Sequence, residues 1–339
     1  MVVIGASAGG LEVLKRLLAE LPRDLPASLF IVVHIGEISI LARVLSRASA
    51  LPVTEARAGE RPVHGRVYVA VPGKHLLLHE DHILLRRGPR ENLARPAIDP
   101  LFRSAAATYG SRVIGLVLSG SLSDGTAGLR AIGRCGGLAL VQDPRDALVS
   151  SMPESAIRHA EVDEVLPSSE IAGRLSVLVR QPAPPAPEVP LEVRLEAAIA
   201  AQELADMKID DRLGSPSRFT CPECNGSLWE VADGPLLRYR CHVGHAYTDD
   251  TVLASQTEEI DRLLGTLLRS HQERAALAQR MSDNERLQGR QDLADRLSRR
   301  AVDYDHDAQL MKRLLRNGND DDEVVTNSEL RSALEHERG

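Results

Sequence analysis

Residues 1–180 of this 339-residue chain are predicted to form an α/β domain on a doubly wound, mostly parallel sheet. Short apolar runs alternate there with segments of helical period, the pattern of strand–helix–strand crossovers. A glycine-rich turn, Gly5-Ala6-Ser7-Ala8-Gly9-Gly10, joins the first run to the first helical segment. A proline-rich stretch at 181–190 then ends the alternation, and the residues beyond it differ in composition.

The apolar runs Val2–Ile4, Leu29–His34, Val67–Ala70, Val113–Ser119, Leu138–Gln142 and Val162–Leu166 have strand length. Helical patterns fall between and after them near Gly10–Glu20, Ile40–Ala48, Ile98–Tyr109, Asp124–Cys135, Pro153–His159 and Ser168–Val179. His75–His79 and His82–Arg86, flanking Glu80-Asp81, read as an inserted hairpin. The first strand begins almost at Met1, which leads us to expect that a few residues are missing from the start.

"QPAPPAPEVP" at 181–190 holds five prolines in ten residues, which excludes helix and central strand and makes a semi-rigid linker. Beyond it we expect a helical segment at 191–217, a compact cysteine-bearing module at 218–248, paired long helices over 249–316 and an acidic, mobile tail at 317–339. Gly289 and the polar stretch around it mark the expected turn between the helices.

Bulk properties remove several function classes. A 43% hydrophobic content supports a real core, and a formal net charge of −7 argues against a general nucleic-acid binder. No run approaches the roughly 18 apolar residues of a spanning helix, and the first residues lack the pattern of a secretory leader. A cytoplasmic protein is expected, in which four cysteines are thiols or metal ligands before they are disulfides.

Gly5-Ala6-Ser7-Ala8-Gly9 fits the Gly-x-Ser-x-Gly frame, where small neighbours let a serine sit exposed on a strand-to-helix turn. A serine nucleophile needs a base, and the base needs a carboxylate to orient it. In a doubly wound sheet both should stand where other strands end at the same edge. "FIVVHIG" delivers His34 to such a place, and "VIGLVLSGSLSDGTAG" delivers Asp124. The chain order Ser, His, Asp differs from that of the common α/β-hydrolases. Arg95 and Asp99 could line the same site or form a buried ion pair or cap. The turn could instead cradle a phosphate, but a dinucleotide fold expects Gly-x-Gly-x-x-Gly and an acidic residue closing the next strand, and here that strand ends in His34.

"IGASAGG", "VVHIG", "VYVAVPGKHLLL", "RPAIDPLFRSAA", "GLVLSGSLSDGTAGL" and "VQDPRDALVSSMPESAI" run in order through 1–180. Together they resemble the catalytic domain of the CheB-type chemotaxis protein-glutamate methylesterases. The resemblance implies hydrolysis of glutamate γ-methyl esters on methylated chemoreceptor-like proteins, with glutamine deamidation beside it, by Ser7, His34 and Asp124, and no cofactor for that chemistry. This chain has Ala8 where the family commonly has threonine and Ser121 where it has methionine. Members of the family often carry a phosphorylatable receiver domain before the esterase; none fits ahead of residue 1, so phosphorylation in cis is not expected. A binding or scaffold component with an esterase-like fold is the alternative.

The cysteine module has chemistry of its own. Cys221-x2-Cys224, a 16-residue spacer and Cys241-x3-His245 form a Cys3His set suited to a closed, structural Zn²⁺ site. His242 competes for the fourth position; His245 is preferred because Gly244 lets the chain turn back onto the metal. The module is similar to a zinc ribbon found on some esterases of this type. The helices beyond it are expected to serve as a docking surface for other chemosensory proteins, as a dimerisation surface, or as packing for the ribbon.

Overall fold

The computed structural model describes residues 1–34, 40–202 and 214–336. The chain forms two compact units, Met1–Val252 and Leu253–Gly339.

The first unit is built on β1 (Val2–Ala6), β2 (Leu29–Val33), β3 (Val53–Glu55), β4 (Val67–Val69), the hairpin β5 (His75–His79) and β6 (His82–Arg86), β7 (Ile114–Val117), β8 (Leu138–Gln142) and β9 (Glu164–Leu166). Seven of these make one sheet in the order β3-β4-β2-β1-β7-β8-β9, every pair parallel. β3 lacks a strand-length signal in the sequence. It is a three-residue edge strand, Val-Thr-Glu, too short to show a period.

The helices are α1 (Gly10–Glu20), α2 (Leu41–Ala48), α3 (Ile98–Tyr109), α4 (Thr126–Arg134), α5 (Ser151–His159), α6 (Ser168–Leu178) and α7 (Leu191–Ala200). Alternation along β1 sends Val2 and Ile4 to one face and Val3 to the other. The first face packs under α1, α2 and α6 through Leu14, Leu17, Leu45, Ile171 and Leu175. The second packs under α3, α4 and α5 through Phe102, Leu129, Ile132 and Met152. The chain leaves β1 towards β2 on one side and returns beside it as β7, so β1 is the topological switch point. In such sheets the crevice beyond the carboxyl ends of the strands at that point is the place for a ligand.

Within the stretch expected to be helical, 191–217, α7 covers Leu191–Ala200, residues 203–213 lie outside those described, and 214–217 open a strand. That strand is β10 (Gly214–Thr220), followed by β11 (Ser227–Asp233), β12 (Leu236–Cys241) and β13 (Ala246–Thr248) in a four-stranded antiparallel sheet. Pro216 sits on its edge strand, where a missing N–H costs no ladder bond. The small sheet is tied to the large one by buried charge. Glu196 of α7 accepts from Arg238 Nη1 at 2.9 Å and from Arg240 Nη2 at 3.0 Å, while Arg103 of α3 pairs with Glu91.

The second unit contains the rest of α8 (Asp249–Leu287) and α9 (Gln291–His336), reversed at Gly289, whose φ of 75° favours glycine. Ala294, Ala301 and Ala308 recur every seven residues as buried positions on α9, small enough for a close seam. Arg274 lies 4.0 Å over the Tyr304 ring across the pair. The backbone of the acidic stretch from 317, which the sequence marked as a mobile tail, continues α9 to His336; 337–339 lie outside the described residues. Among the described residues no helix is long and apolar enough to cross a membrane.

Candidate active site and metal centre

Ser7, His34 and Asp124 follow three neighbouring strands, β1, β2 and β7, at one edge of the sheet. The turn carrying Ser7 is held from both sides: Ser7 N–H donates to Ser119 O at 2.9 Å, and Gly10 N–H donates to Ser7 O at 3.1 Å. Gly9 opens α1 with φ 79°, and Gly120 lies so near that a Cβ there would come within 2.8 Å of Ser7 Cβ. Ser119 Oγ donates to Ala8 O at 2.8 Å and accepts from Val149 N–H at 3.0 Å. Ser7 therefore sits at the start of a helix whose first N–H groups lack intrahelical partners, a setting suited to a developing oxyanion.

His34 is brought alongside by its own N–H, which donates to Ala6 O at 3.2 Å. Its ring Nε2 lies 2.7 Å from Asp124 Oδ2. No hydrogen bond joins Ser7 Oγ to the ring among the described contacts; such bonds are often long in unliganded hydrolases and tighten with substrate. With Nε2 engaged, Nδ1 is the ring nitrogen left for a hydroxyl.

Asp124 is buried and surrounded by donors. Oδ2 also accepts from Ile98 N–H at 2.7 Å, and Oδ1 accepts from Gly125 N–H at 2.9 Å, Asp99 N–H at 3.1 Å and Asn92 Nδ2 at 3.1 Å. Burial alone pushes this carboxyl up, but the bond to His34, its charge and the Ile98 and Asn92 donors hold it below the usual carboxylate range. Beside it, Asp99 is pushed up to about 7 by burial and by the Asp124 charge, against the pull of Arg103 and Arg238. Of two adjacent carboxyls, the one facing His34 is the one held charged.

The cleft in front of His34 has a volume of about 580 Å³ and is walled by Arg90, Asn92, Leu93, Arg95 and Leu122, among others. Arg95 donates to Gly88 O at 2.8 Å while lining it. Two residues that shape the site carry no sequence signal of their own: Ser119, the brace of the serine turn, and Asn92, whose amide bridges Asp99 and Asp124.

In the small sheet the ligand atoms of Cys221, Cys224, Cys241 and His245 all lie within 4.8 Å of one another. A tetrahedral ion with bonds of about 2.3 Å to sulfur and 2.0 Å to nitrogen sets sulfurs roughly 3.8 Å apart and sulfur from nitrogen roughly 3.5 Å. Cys224 Sγ and Cys241 Sγ are 3.6 Å apart, and His245 Nδ1 lies 3.7 Å from Cys221 Sγ and 3.5 Å from Cys241 Sγ. The cluster can hold a metal ion with these four groups. His245 Nε2 faces Glu223 Oε2 at 3.0 Å, the carboxylate partner that fixes a ligating imidazole's tautomer. His242 packs on Trp229 instead, with ring centroids 4.0 Å apart.

Residues 1–180 are similar to known proteins in both sequence and fold. The family model described as CheB methylesterase matches residues 2–175. A relative from Leptospira interrogans is 42% identical over 174 residues, which are 50% of this chain and 90% of the relative. The protein-glutamate methylesterase/protein-glutamine glutaminase 2 of Anaeromyxobacter dehalogenans is 43% identical over 182 residues, 53% of each chain. This chain thus spans about half of that longer relative. The crystal structure of the Thermotoga maritima CheB methylesterase catalytic domain superposes with a TM-score of 0.51 at 35% identity, covering 52% of this chain and 97% of that one. On its family match, its sequence relatives and its fold, this chain belongs to the CheB methylesterase family.

Proposed function

We propose that the chain is a serine hydrolase that removes methyl groups from glutamate γ-methyl esters of chemoreceptor-like proteins and deamidates glutamines by the same route, with residues 1–180 carrying the chemistry. The observation that carries this reading is the His34–Asp124 pair, 2.7 Å apart at the strand ends flanking the Ser7 turn. Ser7 Oγ attacks the ester carbonyl as His34 Nδ1 takes its proton, and Asp124 stabilises the imidazolium through Nε2–H. The tetrahedral intermediate then collapses: the C–O bond to the methoxy group breaks, His34 returns the proton, and methanol leaves an acyl-Ser7. Water, deprotonated by His34, attacks that acyl group and releases the glutamate carboxylate and free Ser7. With a glutamine substrate the leaving group is ammonia. The test is methanol release from a methylated receptor fragment. Stoichiometric methanol is expected; none from protein shown to be folded would sink the substrate assignment.

The metal in the Cys3His cluster is proposed to be Zn²⁺, a structural ion with all four positions filled by protein groups. Thiolate-rich ligation and the sulfur–nitrogen spacing support it. Elemental analysis should find one zinc per chain, and Cys224→Ser should lower it to well under half. A full complement of metal in that variant would exclude Cys224 from the site. The exposed Ile260, Leu263 and Leu267, spaced along one side of α8, support docking of another chemosensory protein on the long helices.

A further inference from the structure

One strand of the cysteine module reaches the acid of the proposed triad. β13 begins at Ala246, directly after His245. Ala246 O accepts from Asn92 N–H at 2.8 Å, and Ala246 N–H donates to Arg90 O at 3.3 Å. Two residues further, Thr248 N–H donates to Asn92 Oδ1 at 3.2 Å, and Thr248 Oγ1 lies 2.6 Å from the hydroxyl of Ser123, the neighbour of Asp124.

Asn92 is the junction. Its Nδ2 donates to Asp99 Oδ2 at 3.0 Å and to Asp124 Oδ1 at 3.1 Å. Flipped, the amide would turn its oxygen towards two carboxyls and its NH₂ towards the Thr248 N–H, so the bond from Thr248 fixes which way it faces. Asn92 and Leu93 also have φ of 48° and 62°, two successive side-chain-bearing residues in the left-handed region. Such a backbone persists only where its surroundings impose it. Here the Ala246 carbonyl holds Asn92, and Leu93 packs against the module's own core of Cys221, Tyr239 and Tyr247.

We infer that the metal-bearing module is a positioning device for the active site: β13 holds Asn92 so that its carboxamide, bonded to both Asp99 and Asp124, clamps the Asp124 carboxylate in the orientation that faces His34. The inference rests on the serine-hydrolase reading. Asn92 touches no substrate and acts through Asp124. The other charged or titratable groups facing the pair are His34, His75, Glu91, Arg103 and Arg238.

The experiment uses the full-length, metal-loaded protein and the variant Asn92→Gly, which deletes the carboxamide while suiting the left-handed backbone. With an activated ester, kcat should fall roughly 10- to 100-fold at near-constant KM, the size of effect seen when an orienting partner is lost. Asp124 loses a donor that favours its charged form, so the acid limb of the kcat profile should move up by about half a pH unit or more. The downfield proton resonance of the His34 Nε2–H bonded to Asp124 should weaken or move upfield. Chelating the metal from the unmodified protein should alter that resonance in the same direction. A merely structural role would lower active protein at every pH without moving the limb. Should Asn92→Gly fail to fold, the resonance of the unmodified protein before and after metal removal carries the test by itself. An unmoved limb and resonance in a folded variant, or a resonance indifferent to metal removal, would overturn the inference. If the unmodified protein itself shows no Ser7-dependent hydrolysis, the triad reading fails instead.

Discussion

Ser7→Ala and His34→Ala should each leave a folded protein whose methyl ester hydrolysis is reduced by about 10⁵-fold or more, and the double variant should be hardly worse. Nucleophile and base act as a unit, so removing the second after the first has little left to remove. Ser7 is a turn residue held through its backbone, and losing its hydroxyl disturbs none of the bonds that hold the turn. Asp124→Asn is expected to cost about 10⁴-fold in turnover, because the amide cannot accept from His34 and from the backbone donors at once. Oδ2 faces Ile98 N–H and the imidazole, and Oδ1 faces the N–H groups of Gly125 and Asp99, so either orientation of the amide points an NH₂ at a donor. This variant should therefore also melt earlier than the unmodified protein, which Ser7→Ala should not. Steady-state kinetics with parallel thermal denaturation separates the two effects.

Glu196→Ala should destabilise the first unit by about 3–5 kcal/mol, lowering its melting temperature by roughly 10 °C. Glu196 is buried and accepts from Arg238 and Arg240, with Arg103 Nε 3.6 Å away. Without it three buried guanidinium groups share the remaining carboxylates, Glu91 and Asp233. The pH dependence has a definite sign. Burial opposes the charge on Glu196, but Arg238 and Arg103 outweigh it and hold the carboxyl well below its ordinary 4.5. Its stabilising contribution is complete above the unfolded value near 4.5 and fades as pH falls towards the depressed folded one. The difference in melting temperature between the variant and the unmodified protein should accordingly be full at pH 7 and shrink below about pH 4. A difference that grows on acidification would show that the pairs do not stabilise the fold.

The sheet was legible because parallel strands buried on both faces read as continuous apolar runs, and the runs ending in His34 and Ser119 are of that kind. The same runs put Ser7, His34 and Asp124 at one edge, since a βα turn after each strand leaves no other place for them. β3 escaped because three residues at a sheet edge, two half-buried and one exposed, carry no period. The Cys3His spacing marked the metal cluster, and the left-handed Gly244, with φ 99°, is the turn that brings His245 back to it. Asn92 and Thr248 could not be read in the same way. Their meaning lies in a hydrogen bond between residues 156 positions apart, and neither falls in a motif. Nor does the proline linker disclose that α7, directly after it, carries a carboxylate into a buried cluster with α3 and β12. Composition marks where a chain is stiff and exposed, and says nothing of what docks afterwards.

The central claim is that Ser7 is the nucleophile, and a fluorophosphonate that phosphonylates activated serines tests it most directly. Intact-mass and peptide mapping should find one adduct per chain, on the peptide containing Ser7, absent from Ser7→Ala and slowed by orders of magnitude in His34→Ala. An adduct on another residue, or methyl ester hydrolysis at the unmodified rate by folded Ser7→Ala, would contradict it, and the Gly5–Gly10 turn would then be a structural feature without a part in the chemistry.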